Sequence, residues 1–180
     1  KQLIIFFIGN NSMNISFTRL YGINLELDKA NFTAKVVKSP TARGNVVIPR
    51  SICYGSNEYI ITTIDSDSFS DNSRVLSIGF AEDSELTTIC ANAFSNSSIE
   101  TLSFPPNLKE LEEGWCSFST KLKMITVSPN NPFFISLNSQ IIVGKNDPND
   151  EIYENLIFVS RNCREITIPS FIKRINPHSF

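Results

Sequence analysis

One frame of apolar residues recurs along the 180-residue chain about every 23 residues, and this recurrence limits the fold more than any other feature. Three segments close alike: Ile64-Asp65-Ser66-Asp67-Ser68-Phe69, Ile89-Cys90-Ala91-Asn92-Ala93-Phe94 and Ile175-Asn176-Pro177-His178-Ser179-Phe180. A fourth, Leu111 to Cys116, keeps the spacing with Cys in place of Phe. A short alternating pattern precedes these endings: Val46-Val47-Ile48-Pro49, Ile78-Gly79-Phe80, Leu102-Ser103-Phe104-Pro105, Ile125-Thr126-Val127 and Ile166-Thr167-Ile168-Pro169. Two copies superimpose without a gap. From Phe104, apolar residues fall at +4, +7 and +12 (Leu108, Leu111, Cys116), and from Ile168 at the same offsets (Ile172, Ile175, Phe180).

Alternation over three or four residues predicts a strand with one face in and one face out. Proline directly after it ends the pairing, because it lacks an N–H and fixes φ. The next apolar pair turns the chain back across the core, and Phe closes the coil. A single coil has no second layer to cover its apolar side, but stacked coils cover one another, so the expected architecture is a solenoid with a parallel sheet along one side. In that frame Phe69, Phe80, Phe94, Phe104 and Phe180 are packing residues rather than a ligand cage. Trp115, in the least regular coil, is the one aromatic whose exposure the pattern leaves open.

The Ile-x-Ile-Pro pattern followed by Ile-x-x-x-Ala-Phe resembles the BspA-like leucine-rich repeats of bacterial and protozoan surface proteins, most closely at Leu86–Phe94 and Ile166–Ile175. Ser128-Pro129-Asn130-Asn131-Pro132-Phe133-Phe134 is similar to that family's turn before an inserted hairpin. The hairpin would pair Gln140–Val143 with Leu156–Val159. Asn31–Val37 resembles the strand that often starts such arrays. The chain departs from the family at Cys90, where Gly is usual and a perturbed turn is expected, and at Trp115-Cys116, where Ala-Phe is usual. The resemblance implies a β-rich leucine-rich-repeat solenoid of short parallel strands, turns and 3-10 segments, with little α-helix, an N-terminal β cap and a hairpin insert.

Residues 1–45 read as cap strands. Residues 46–180 read as the solenoid, interrupted by the hairpin at about 128–162, with the array expected to be truncated at Phe180, in mid-frame. Residues 1–9, a basic start and an apolar run, are open to two readings: a signal-peptide remnant or a buried first strand. Cys53, Cys90, Cys116 and Cys163 form no CxxC pair and no Cys/His cluster. They are expected as free, buried or half-buried thiols rather than a disulfide framework.

No catalytic constellation is visible, and no cofactor or metal site is expected. The single histidine, His178, falls in the terminal turn, where a solvated role is expected. The acidic runs Glu82–Glu85 and Glu110–Glu113 fall in turns. Asn146–Glu151 lacks the alternating oxygen ligands and central Gly of a calcium loop and reads as a polar hairpin tip. A net charge of −2 gives no electrostatic basis for binding nucleic acid, and no small-molecule substrate is expected. Asn10, Asn14, Asn31 and Asn96 each lie in an N-x-S/T acceptor pattern for glycosylation.

By alternation, the outward members of the strands are Ser77, Gly79, Thr101, Ser103, Thr126, Glu165 and Thr167. A face of small, mostly hydroxylic side chains suits a protein or glycan partner better than a small molecule. The expected function is a non-catalytic interaction module, secreted or at the cell surface, with adhesion to extracellular-matrix or host-cell proteins implied by the resemblance. The alternative is a cytoplasmic leucine-rich-repeat scaffold or receptor-like module.

Overall fold

The computed structural model describes residues 8–12, 15–20 and 22–180. Four strands open the chain: β1 (Ile8–Ser12), β2 (Ile15–Leu20), β3 (Ile23–Asp28) and β4 (Thr33–Val37), joined as an antiparallel meander. There follow β5 (Gly44–Ile48), β6 (Ser51–Tyr54), β7 (Asn57–Ile64), β8 (Val75–Phe80), β9 (Thr88–Ile89), β10 (Thr101–Phe104), β11 (Glu110–Leu111) and β12 (Met124–Val127). A second meander of β13 (Phe134–Leu137), β14 (Ile141–Gly144) and β15 (Asn155–Val159) leads to β16 (Arg174–Ile175). Strands and turns account for the regular structure, and no helix, α or 3-10, occurs among the described residues.

Two parallel ladders hold the coils together, where the alternation alone predicted one. The first is β5-β8-β10-β12, in which Val46, Ile78, Leu102 and Ile125 stand in register and are buried. The second runs through β7, β9 and β11, with Ile64, Ile89 and Leu111 in register. Its members β9 and β11 are only two residues long, too short to alternate visibly, so the sequence shows them as turns. The hairpin appears as read, with Ile141 opposite Val159 and Ile142 opposite Phe158.

A third set of bonds links the turns beyond the second ladder. Phe69 N donates to Ala93 O at 2.7 Å and Asp71 N to Ser95 O at 2.9 Å; one coil later, Phe94 N donates to Trp115 O and Asn96 N to Ser117 O. These turns take a left-handed residue at one place, and the first three of them at a second place four residues on. Asp67, Asn92, Gly114 and His178 fill the first place, and Asp71, Asn96 and Phe118 the second. Asp, Asn and Gly tolerate φ above zero; Phe does not. The Cys90 turn has no perturbation, contrary to expectation: Cys90 keeps negative φ, and Ala93 N bonds Cys90 O as Ser68 N bonds Asp65 O.

Aromatic rings fill the space between the ladders. Phe69 stacks on Phe94 at 5.6 Å, and Trp115 meets Phe94, Phe104 and Phe158 edge-on or tilted. Trp115 is 6% exposed, because its indole occupies the volume that Phe fills in the preceding coils and that Cys116 leaves empty. At the far end two expectations fail. Ile166–Ile168 is not a strand, and Phe180 is 61% exposed rather than packed. Both need an adjoining coil: a strand exists only with a partner beside it, and Phe in this frame is buried by the next layer.

Two buried asparagines tie the coils to the turns. Asn131 Nδ2 donates to Pro105 O and Leu108 O, while its Oδ1 accepts from Phe133 N and Phe134 N. Asn72 repeats the arrangement with Ser39 O, Ala42 O, Arg74 N and Val75 N. Every hydrogen-bonding site on each amide that can reach the backbone is used. Replacing Asn131 by Ala strands four backbone groups and should cost about 2–4 kcal/mol in denaturant unfolding; a loss below about 1 kcal/mol would contradict the clamp. Phe118→Asn should act oppositely. Phe118 is 75% exposed and left-handed, so the substitution loses little packing and relieves strain, for a gain of about 0.5–1 kcal/mol.

Candidate binding face

The outward side of the β5-β8-β10-β12 sheet carries two registered rows. One runs Asn45, Ser77, Thr101, Met124; the other runs Val47, Gly79, Ser103, Thr126. The structure therefore brings together five of the seven residues expected on this face. Glu165 and Thr167 are exposed but stand outside it, because the strand that would have carried them does not form. The sequence reading missed Asn45, Val47 and Met124. The first two sit in the same alternation one coil earlier, and Met124 one residue before the apolar triplet.

No charged side chain belongs to these rows. Ser77 Oγ donates to Asn45 Oδ1 at 2.8 Å, which orders the first row at its β5 end. Val47 and Met124 are exposed large apolar residues at opposite edges of the face. At the C-terminal ends of the strands the second row opens into a shallow hollow of about 370 Å³, walled by Phe80, Ser103, Pro105, Thr126, Val127 and Pro129. The surface thus offers scattered hydroxyls, two apolar edges and a proline-rimmed depression. Such a surface is suited to contact by area and hydrogen bonding.

A larger hollow of about 520 Å³ lies over the first sheet, beside Glu26, Asp28, Thr33, Lys35, Thr62 and Thr63. Its one cation is already paired: Lys35 Nζ is 2.9 Å from Asp65 Oδ2 and 3.1 Å from Glu26 Oε1, and Asp65 chiefly raises the pKa of that ammonium.

His178 is exposed in its left-handed turn, its ring 6.3 Å from that of Phe118. In the acidic turns Glu85 pairs with Arg50, and Glu112 Oε2 accepts from Ala91 N at 2.8 Å. The Asn146–Glu151 segment is an exposed hairpin tip, tied by Lys145 Nζ to Pro148 O and Asp150 O. No group of three or more His, Cys, Asp or Glu placed to hold a metal occurs among the described residues.

Asn31 and Asn96 are exposed. Their amides donate to Asp28 Oδ2 and Asp71 Oδ1, and the Asn31 amide, with the N–H groups of Ala30 and Asn31, holds Asp28 below the usual carboxylate range. Asn10 lies in β1 with its side chain outside the described residues, and Asn14 lies wholly outside them.

Residues 56–143 match the BspA type leucine rich repeat region, in six copies. The chain carries a BspA-type leucine-rich repeat region. Among solved structures, the pneumococcal vaccine antigen PcpA shares the fold with a TM-score of 0.53 at 15% identity, over 92% of this chain and 62% of that one. The chain therefore spans under two thirds of that solved protein's length. Leucine-rich repeat proteins from Eubacterium ventriosum (15% identity, 86% of this chain and 54% of that one, TM-score 0.44) and Bacteroides capillosus (18%, 62% and 98%, 0.41) are weaker matches. No curated protein sequence matches significantly. Leucine-rich repeats are in general a protein-binding, non-enzymatic fold.

All four cysteines are free thiols. Cys116 is buried, Cys90 and Cys163 are half-buried, and Cys53 is exposed, unlike the expected burial. Burial, aided by Glu112, pushes the Cys90 thiol up to about 11; burial, against the opposing pull of Arg161, pushes Cys116 up to about 12. Native-state alkylation at pH 8 should therefore modify Cys53 and leave Cys90 and Cys116 intact. The unfolded chain releases thiol protons near pH 9, while the folded one retains them to about 11 and 12. This contribution to stability is complete below pH 9 and should fall as pH rises through that window, less steeply in Cys116→Ala.

Proposed function

We propose that this chain is a non-catalytic protein-interaction module, secreted or displayed at the cell surface, that engages extracellular-matrix or host-cell proteins. The observation that carries this reading is the uncharged face of Asn45, Ser77, Thr101, Met124, Val47, Gly79, Ser103 and Thr126, held rigid by two backbone ladders. A partner docked there gains many modest hydrogen bonds and apolar contact at Val47 and Met124 while ordering little of the module. The resemblance of the repeat to those of surface proteins, and the likeness to a vaccine antigen, support the extracellular setting. A glycan partner uses the same hydroxyl chemistry. The unpaired thiols favour a second reading, an intracellular leucine-rich-repeat scaffold, since disulfides are rare in reducing compartments. Glycans found on Asn31 or Asn96 of the native protein would decide for the first.

Binding of the purified chain to immobilised extracellular-matrix proteins tests the face directly. The double substitution Thr101→Arg, Thr126→Arg places two long charged chains across both rows. It should weaken binding by about tenfold or more while moving unfolding stability by no more than about 0.5 kcal/mol. An arginine at Glu151, exposed on the hairpin tip away from the face, should change neither. Equal binding by the face variant would refute this assignment.

A further inference from the structure

The hairpin that interrupts the repeat leaves a breach in the second ladder. Between β11 and β16, where another coil junction would bring two short strands into register, there is instead a hollow of about 200 Å³. Lys109, Lys145 and Arg174 line it, together with Asn146, Asn155 and Asn176, and no carboxylate does. Three cations in one small hollow stand out in a chain of net charge −2.

Their partners differ. Lys145 Nζ is committed to Pro148 O and Asp150 O and lies over the Tyr153 ring, so it contributes field rather than a free hand. Lys109 and Arg174 have no side-chain hydrogen bond or ion pair among the described residues, whereas the adjacent Lys173 is taken by Glu154. Asn155 Nδ2 is held by Asn146 Oδ1 at 3.2 Å. Asn176 Oδ1 is a buried acceptor with no partner, the only buried side-chain polar atom so left among the described residues.

The repeat shows how unusual this is. The residues in the place of Asn176 in earlier coils are Asp65, Cys90 and Glu112. Asp65 pairs with Lys35 and accepts from Ser66 N; Glu112 accepts from Ala91 N. Only the copy at the breach has an unmet oxygen. A buried acceptor without a donor is costly, and a site built to be completed by a ligand is one place where that cost persists.

We propose that the breach binds a carboxylated sugar unit, its carboxylate on Lys109 and Arg174 and a ring hydroxyl donating to Asn176 Oδ1. The cations demand an anion, and the guanidinium can hold a carboxylate through two parallel bonds. Asn176 Oδ1 demands a donor on the same molecule, which a hydroxyl supplies and a simple carboxylate or sulfate does not. The volume is below the roughly 300 Å³ at which drug-sized sites begin, which fits one saccharide ring. This site does not depend on the strand-face reading: it lies on the other ladder and takes a different ligand.

Titrating the full chain with D-glucuronate, D-glucose and acetate at low ionic strength, followed by NMR or calorimetry, tests the assignment. Glucuronate should bind saturably and tighter than either control by about tenfold or more, and Lys109→Gln or Arg174→Gln should each weaken it by about tenfold. Asn176→Ala should reduce glucuronate to the affinity of acetate without lowering the thermal midpoint, because it deletes an unpartnered atom. Stability measured alongside separates a misfolded variant from one that has lost the ligand. Absence of saturable glucuronate binding, acetate binding as tightly as glucuronate, or an Asn176→Ala variant that binds unchanged would each overturn the proposal.

Discussion

Coil-on-coil stacking is the constraint from which the rest of this molecule follows. Each coil has one apolar side and no layer of its own to set against it, so Ile78 is buried only because Leu102 and Val46 stand in register on either side. Backbone pairing and side-chain burial are therefore the same event here: the ladder sets the spacing, and the spacing brings Phe69 onto Phe94 and Phe94 onto Trp115. The turns must then close within a fixed length, which is what places Asp, Asn or Gly at the left-handed positions. The buried Asn72 and Asn131 do for the irregular joints what the ladders do for the strands, carrying backbone groups that no strand partner reaches.

Much of this was legible because it is periodic. The alternation in Leu102-Ser103-Phe104 fixes which side chains point inward, and so the pattern alone sets Ser103, Thr101 and Thr126 on one face. The hairpin pairing of Ile142 with Phe158 was legible from two apolar runs flanking a polar loop. What could not be read was whatever depends on neighbours distant in sequence. The strands at Thr88-Ile89 and Glu110-Leu111 are too short to carry a pattern and exist because each lies beside the other. Trp115 looked irregular in a linear frame, yet its ring compensates for the smaller Cys116 two ladders deep in the core. The cationic hollow draws its lining from five separate stretches of chain, and no local motif joins Lys109, Asn155 and Arg174.

The hairpin also explains why the last strand is missing, because it restarts the array. Val36 in β4 and Leu156 in β15 are equivalent: Val36 O accepts from Asp65 N and Ser68 Oγ, and Leu156 O accepts from Asn176 N and Ser179 Oγ. Each strand lies antiparallel to the one before it in a meander and parallel to a later strand, β7 for β4 and β16 for β15. The next apolar segment begins ten residues on in both, at Val46-Val47-Ile48-Pro49 and at Ile166-Thr167-Ile168-Pro169, in phase to the proline. The first is β5 and the second is coil. Local sequence is nearly the same in the two places, so propensity does not separate them. What differs is that β8 lies beside β5 and offers five registered residues, whereas no strand lies beside Ile166–Ile168. A parallel strand gives up backbone entropy that only a partner's hydrogen bonds can offset. A strand in this repeat thus needs a partner on at least one side, before it or after: β12 pairs only with the preceding β10, and β5 within its sheet only with the following β8.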